Sequence, residues 1–101
     1  MDKPAKVVFS EADDMGAPLG MLVLSYGEGV HGKPLLGGLL VDKDHRRTGI
    51  ASRLVRRAEQ HALENGEPRI FAVTHPSNRA TRELMKSLGY TEMILLDKKL
   101  G

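Results

Sequence analysis

The 101-residue chain contains no cysteine and no tryptophan, and only two tyrosines and two phenylalanines. Without cysteine there is no disulfide framework, no thiolate nucleophile and no zinc–thiolate site. With so few aromatic rings there is no platform on which nucleobases would stack, so nucleic acid is not an expected partner. A formal net charge of only +2 points the same way. The basic residues gather at positions 43–57 with acids interleaved nearby, which suits a local anion site better than a nucleic-acid surface. No stretch approaches the roughly 20 apolar residues of a membrane-spanning helix. Lys3-Pro4-Ala5-Lys6 leads only into a short apolar run, unlike a signal peptide. A cytoplasmic location with no membrane partner is the resulting expectation. His31, His45 and His61 lack metal-ligand spacing, and no metal is assigned.

What is present suits a globular protein. Hydrophobic residues make up 41% and charged residues 28%, enough for one modest core, so residues 1–101 are read as a single domain. Residues 6–12, centred on Val7, Val8 and Phe9, read as a strand. Asp13 to Pro18 form a hairpin-type turn, and residues 19–26 a second strand. Residues 27–34 hold three glycines and a proline and read as an exposed loop. Residues 35–41 read as a third strand whose Gly37-Gly38 pair marks a bulge or a close backbone approach. In residues 50–64, Ile50, Leu54, Ala58 and Ala62 recur at helical spacing, with Arg53, Arg56 and Arg57 on the outer face and Asn65-Gly66 as the stop. Residues 69–73 predict a fourth strand. A second helix follows, capped by Ser77 or Asn78 and ended by Gly89, and residues 91–100 predict a final strand. The order β-β-β-α-β-α-β implies an α/β sandwich: an antiparallel meander, then a right-handed strand–helix–strand crossover over residues 35–73.

Arg46-Arg47-Thr48-Gly49-Ile50-Ala51 lies between the third strand and the first helix. A basic, glycine-bearing turn feeding a helix N-terminus offers unpaired backbone N–H groups, the positive end of the helix dipole and room for close approach. It suits a phosphate or pyrophosphate; the alternative is a tight strand-to-helix connection with two solvated arginines. Gly27 to Lys33 matches a P-loop up to its lysine, but Pro34 stands where a hydroxyl must reach magnesium and a strand follows, so that reading is rejected. No G-x-G-x-x-G follows any strand.

The second informative stretch runs from His75 to Tyr90. Together with residues 46–51 it resembles the GNAT superfamily of acyl-CoA-dependent N-acetyltransferases, in a compact form lacking the first strand and the helix pair that precede the second family strand. The family's cofactor signature, Q/R-x-x-G-x-G/A, is met by Arg46, Gly49 and Ala51. Its second signature, N-x-x-A/S-x-x-L-Y/L-x-K-x-G-F/Y, is met by Asn78, Leu84, Gly89 and Tyr90. Thr81 is a loose match, and Ser87 stands in the lysine's place. The resemblance covers the chain from about residue 6 onward and implies a GNAT-like three-layer sandwich with a mixed sheet.

The resemblance also implies acetyl-CoA as co-substrate. Its pyrophosphate would rest on backbone N–H groups from Arg47 through Thr48, Gly49 and Ile50 to Ala51. Its pantetheine arm would lie along the backbone of Leu39 and Val41, in a splay between the third and fourth strands, with Asn78 touching it from the second helix. The acceptor would be a primary amine of a small molecule or a peptide N-terminus; the alternative is a CoA-binding module with little or no transferase activity, or a fragment. At the position where many members carry a tyrosine acid the chain has Met85, and before the cofactor loop it has Leu36-Gly37-Gly38-Leu39 in place of an acidic residue. His75 is the best side-chain proton relay, set against a histidine that merely anchors a turn, the favoured alternative. Tyr90, Leu84 and Met85 read as core. Glu11, Asp13 and Asp14 read as a solvated turn, with attraction of a cationic amine as the other possibility. Arg53, on the exposed helix face, is expected to matter little. The run Met93-Ile94-Leu95-Leu96 and the uncovered sheet faces imply a homodimer, set against a monomer whose short, twisted edges are guarded by Lys98 and Lys99.

Overall fold

The computed structural model describes residues 5–27, 32–46 and 48–101; Arg47, His31 and most of the P-loop-like segment lie outside them. Strand β1 (Lys6–Ala12) and strand β2 (Pro18–Ser25) form a hairpin around a turn fastened by the Asp13 carboxylate, which accepts from the N–H groups of Met15 and Ala17, each at 2.9 Å. Strand β3 (Leu35–Val41) pairs antiparallel with β2. A single 3₁₀ turn (Lys43–His45) leads to helix α1 (Ile50–Glu64). Strand β4 (Phe71–Ala72) pairs parallel with β3, and helix α2 (Arg79–Ser87) follows. The sheet order is β1-β2-β3-β4, so the meander and the parallel crossover stand as the sequence implied.

Alternation along the strands decides what is buried. Phe9, Leu22, Leu24 and Leu36 face α1, whose Ile50, Leu54, Val55, Ala58 and Ala62 complete the core. Gly20 lets the two layers meet closely: a Cβ built there would stand 2.8 Å from Ile50 Cγ2 and 3.2 Å from the Leu40 carbonyl oxygen. The expected bulge is present at Gly37-Gly38. The β2–β3 register shifts there, Gly38 has φ +63°, and the strand reverses its facing so that Leu39 and Val41 lean on the core while Leu40 is 65% exposed. On the sheet face opposite α1, Val8, Met21 and Leu40 line a shallow depression of ≈ 430 Å³, and no element among the described residues closes over it as a third layer.

Two expectations change. Strand β4 is two residues long, against five expected. Residues 91–100 form no strand. Strand propensity stabilises nothing without a partner edge, and β4 offers only two residues of one. Ile94, Leu95 and Leu96 are consequently exposed. Among the described residues no helix is long and apolar enough to cross a membrane.

Candidate active site

Strands β3 and β4 stay together only briefly. Leu35 pairs with Phe71 and Leu36 with Ala72; the Phe71 N–H donates to the Pro34 carbonyl at 2.9 Å and the Val73 N–H to the Leu36 carbonyl at 3.3 Å. Beyond Leu36 the bulge carries β3 away and the strands splay. The Asp42 N–H donates to the Leu19 carbonyl, on the β2 side, at 2.8 Å. Peptide groups alternate along an extended strand, so those of Leu39 and Val41 project to the other edge, into the splay. These are the two residues expected to offer backbone hydrogen bonds there.

The splay ends at the N-terminus of α1. Gly49 is the N-cap, with φ +84°, a left-handed conformation that L side chains adopt at a cost of about 1–2 kcal/mol. Among the described residues no side chain caps this end. The N–H groups of Ile50, Ala51 and Ser52 are too early in the helix to reach an intrahelical carbonyl. Ile50 is buried, so its backbone is fixed by the core while its N–H stays at the helix mouth. Upstream, the Thr48 hydroxyl donates to the His45 carbonyl, and His45 Nδ1 lies 2.6 Å from the Asp42 carboxylate. Arg46 is exposed and extended, with ψ 151°. A strand edge turned away from β2 at Leu39 and Val41, together with a left-handed helix start that no described side chain caps, suits a ligand that carries phosphate and a peptide-like arm.

Asn78 caps α2: its side-chain oxygen accepts from the Thr81 N–H at 3.2 Å, which leaves its amide NH2 as the group for a ligand. His75 anchors the preceding turn. The Ser77 N–H donates to Nδ1 at 3.1 Å, and the Ser77 hydroxyl lies 2.7 Å from the same nitrogen. Nδ1 is thus an acceptor, the tautomer carries its proton on Nε2, and the turn-anchoring reading describes its geometry. Met85 is buried at 8% exposure and supplies no proton. Tyr90 is half-buried, and its hydroxyl donates to the Glu59 carboxylate at 2.8 Å, tying the end of α2 to α1. Burial first, and then that carboxylate, push its hydroxyl pKa far up.

Two residues have roles the sequence reading missed. Glu11 is neither a solvated turn residue nor a lure for amines: its carboxylate grips Arg53, with Nε and Nη2 donating at 2.9 and 2.8 Å. Arg53 in turn donates from Nη1 to the Thr48 carbonyl at 3.1 Å. Helix periodicity places Arg53 outward correctly, but the strand end that meets it is 42 residues away. Asp13 is consumed by its own hairpin.

Solved structures share this architecture. An aminoglycoside 6′-N-acetyltransferase from Acinetobacter haemolyticus aligns with 98% of this chain and 74% of its own length at 23% identity and TM-score 0.77. An aminoglycoside N-acetyltransferase in complex with CoA aligns with 97% of this chain and 79% of its own at 20% identity and TM-score 0.80. A transcriptional regulator from Bacillus halodurans aligns with 98% and 68% at 19% identity and TM-score 0.82. At these identities the likeness is one of fold. No curated protein matches the chain. A family profile does, over residues 1–90: with the splayed strands, the left-handed turn and the uncapped helix in place, the chain belongs to the acetyltransferase (GNAT) family.

Proposed function

We propose that this protein transfers an acetyl group from acetyl-CoA to a primary amine of a small molecule or a peptide N-terminus. What supports the reading is the pairing of two features: the β3 edge at Leu39 and Val41, turned away from β2, and the uncapped N-terminus of α1 at Gly49. The pantetheine amides would pair with the Leu39 and Val41 peptides as an added strand would. The pyrophosphate would accept from the N–H groups between residues 47 and 51, with Arg46 and Arg47 adding charge. Asn78 would reach the pantetheine from α2.

The chemistry needs little beyond placement. The amine nitrogen attacks the thioester carbonyl; a C–N bond forms and the C–S bond breaks. The amine proton leaves through water and strand carbonyls, and the departing thiolate takes a proton from water. Holding the two reactants together supplies most of the acceleration. His75, whose Nε2 is turned away from the turn it anchors, is the only side-chain relay proposed. That two of the structural neighbours are aminoglycoside N-acetyltransferases supports a small amine as acceptor without selecting one.

A second reading is favoured by buried Met85 and by His75's engagement with Ser77: a CoA-binding module with little transfer. Calorimetric CoA titration beside an assay of free CoA release over an amine panel separates the two. Gly49→Val puts a β-branched residue at φ +84° and should abolish CoA binding; wild-type affinity in that variant would overturn the site. The proposal includes a cytoplasmic location and a homodimer. Exposure of Met93 to Leu96, and of Val8 and Leu40 on the open face, supports self-association. Light scattering that gives a monomer mass at high micromolar concentration would exclude it.

A further inference from the structure

The N-terminus of α1 is uncapped, yet a ligand-binding turn must be rigid before the ligand arrives. Arg53 supplies the rigidity. Its main-chain N–H donates to the Gly49 carbonyl at 3.0 Å, and its Nη1 donates to the Thr48 carbonyl at 3.1 Å. One residue therefore holds two successive carbonyls of the turn. In a trans peptide the C=O of one residue and the N–H of the next point in opposite directions. Drawing the Thr48 and Gly49 carbonyls toward Arg53 thus aims the N–H groups of Gly49 and Ile50 away from it, toward the mouth of the helix.

The guanidinium would swing freely on its long stem without a second hold. Glu11 provides it. The carboxylate takes Nε and Nη2 in a two-pronged pair, which leaves Nη1 as the prong directed at Thr48. The pair also neutralises Arg53, so its charge is spent on Glu11 rather than on a ligand. Glu11 is the last residue in register on β1 before the irregularity at Ala12, so the chain of contacts runs from the outer strand of the sheet to the turn. Arg57 also binds β1, donating to the Ser10 carbonyl at 2.9 Å and lying 5.5 Å from the Phe9 ring centre, but among the described residues no hydrogen bond ties it to the turn.

We propose that Arg53 is a positioning residue for the pyrophosphate turn, held in its working orientation by Glu11. It acts by aiming backbone N–H groups and does not itself contact the ligand. The inference rests on the acetyl-CoA reading above.

The test is calorimetric titration of the intact protein with CoA, with thermal melts recorded for each variant. Arg53→Lys keeps the charge and the main-chain N–H but cannot grip Glu11 and Thr48 together. It should weaken CoA binding on the order of tenfold. Glu11→Gln, nearly isosteric, should weaken it by a smaller factor. Arg57→Ala should lower the melting temperature and leave CoA affinity within twofold of the parent. If Arg53→Lys binds CoA as the parent does, the proposal fails while the acetyl-CoA reading stands. If Arg57→Ala loses affinity as much as Arg53→Lys, the effect is general loosening of α1 on β1 and the proposal likewise fails. If the folded parent binds no CoA at all, the acetyl-CoA reading fails and takes this inference with it.

Discussion

Gly20 is the position where the approach of α1 to the sheet can be probed with a single methyl group. A Cβ added there would stand 2.8 Å from Ile50 Cγ2, 3.3 Å from Leu54 Cδ1 and 3.2 Å from the Leu40 carbonyl oxygen. Carbon atoms rest at about 3.5–4.0 Å, so Ile50 must retreat by roughly 1 Å. It has nowhere to go, being 3% exposed, with Leu54 wholly buried beside it. The Leu40 oxygen belongs to the β2–β3 pairing and cannot yield without breaking it. Overpacking of this kind costs about 1–3 kcal/mol. The lower entropy of an alanine-bearing unfolded chain returns about 0.4–1 kcal/mol. The midpoints of these ranges leave a net loss of about 1.3 kcal/mol, which for a domain of this size lowers Tm by roughly 5–10 °C. Urea unfolding should show a lower midpoint with an unchanged slope. Gly37→Ala is the control, because its Cβ would meet nothing within 4 Å; it should stay within about 0.5 kcal/mol of the parent. Ile50→Ala removes the colliding Cγ2, so the double variant Gly20→Ala/Ile50→Ala should be more stable than the two single losses summed, by more than about 0.5 kcal/mol. A Gly20→Ala protein that melts at or above the parent temperature would refute the packing argument.

Tyr90→Phe removes the bond to Glu59 between α2 and α1 and should cost about 1–2 kcal/mol by urea unfolding. Because burial raises the Tyr90 pKa in the folded state, the parent should lose stability as pH climbs above about 10, and Tyr90→Phe should lose less over that range. At the acid end, the hydrogen bond from Arg53 holds the Glu11 carboxyl below its ordinary value, and that from Arg82 does the same for Glu92. Their contribution is complete above the ordinary carboxylate range and fades as pH falls through the lowered folded values. Glu11→Gln/Glu92→Gln should therefore flatten the acid limb of a Tm-against-pH curve. His75→Ala should leave the shape of the pH–rate profile unchanged if the histidine only anchors its turn through Ser77; a lost limb would make it the proton relay.

Local pattern carried much of the fold. The period-2 and period-3.6 recurrence of apolar residues marks β1, β2, β3 and α1 because an element with one buried face writes that face into its own sequence. The Gly37-Gly38 bulge and the left-handed Gly49 are legible for a related reason: backbone conformations that exclude side chains leave glycine as their record. The sequence reads the Gly49 turn for close approach of a ligand, and the α2 cap as Ser77 or Asn78 from their side chains; the structure uses Asn78. Residues 91–100 are not legible in this way, since their strand-like composition holds only if a neighbouring edge exists, and that edge is set by where β4 ends. The same holds for Arg53 and Glu11. Each reads as an ordinary solvent-facing charge within its own element, and only the packing of α1 across β1 brings together two side chains 42 residues apart. A sequence determines which faces must be buried and where the chain must turn, because those demands are local. Which charge meets which, and which backbone edge stays open for a ligand, the tertiary structure decides, because both depend on elements docking in space.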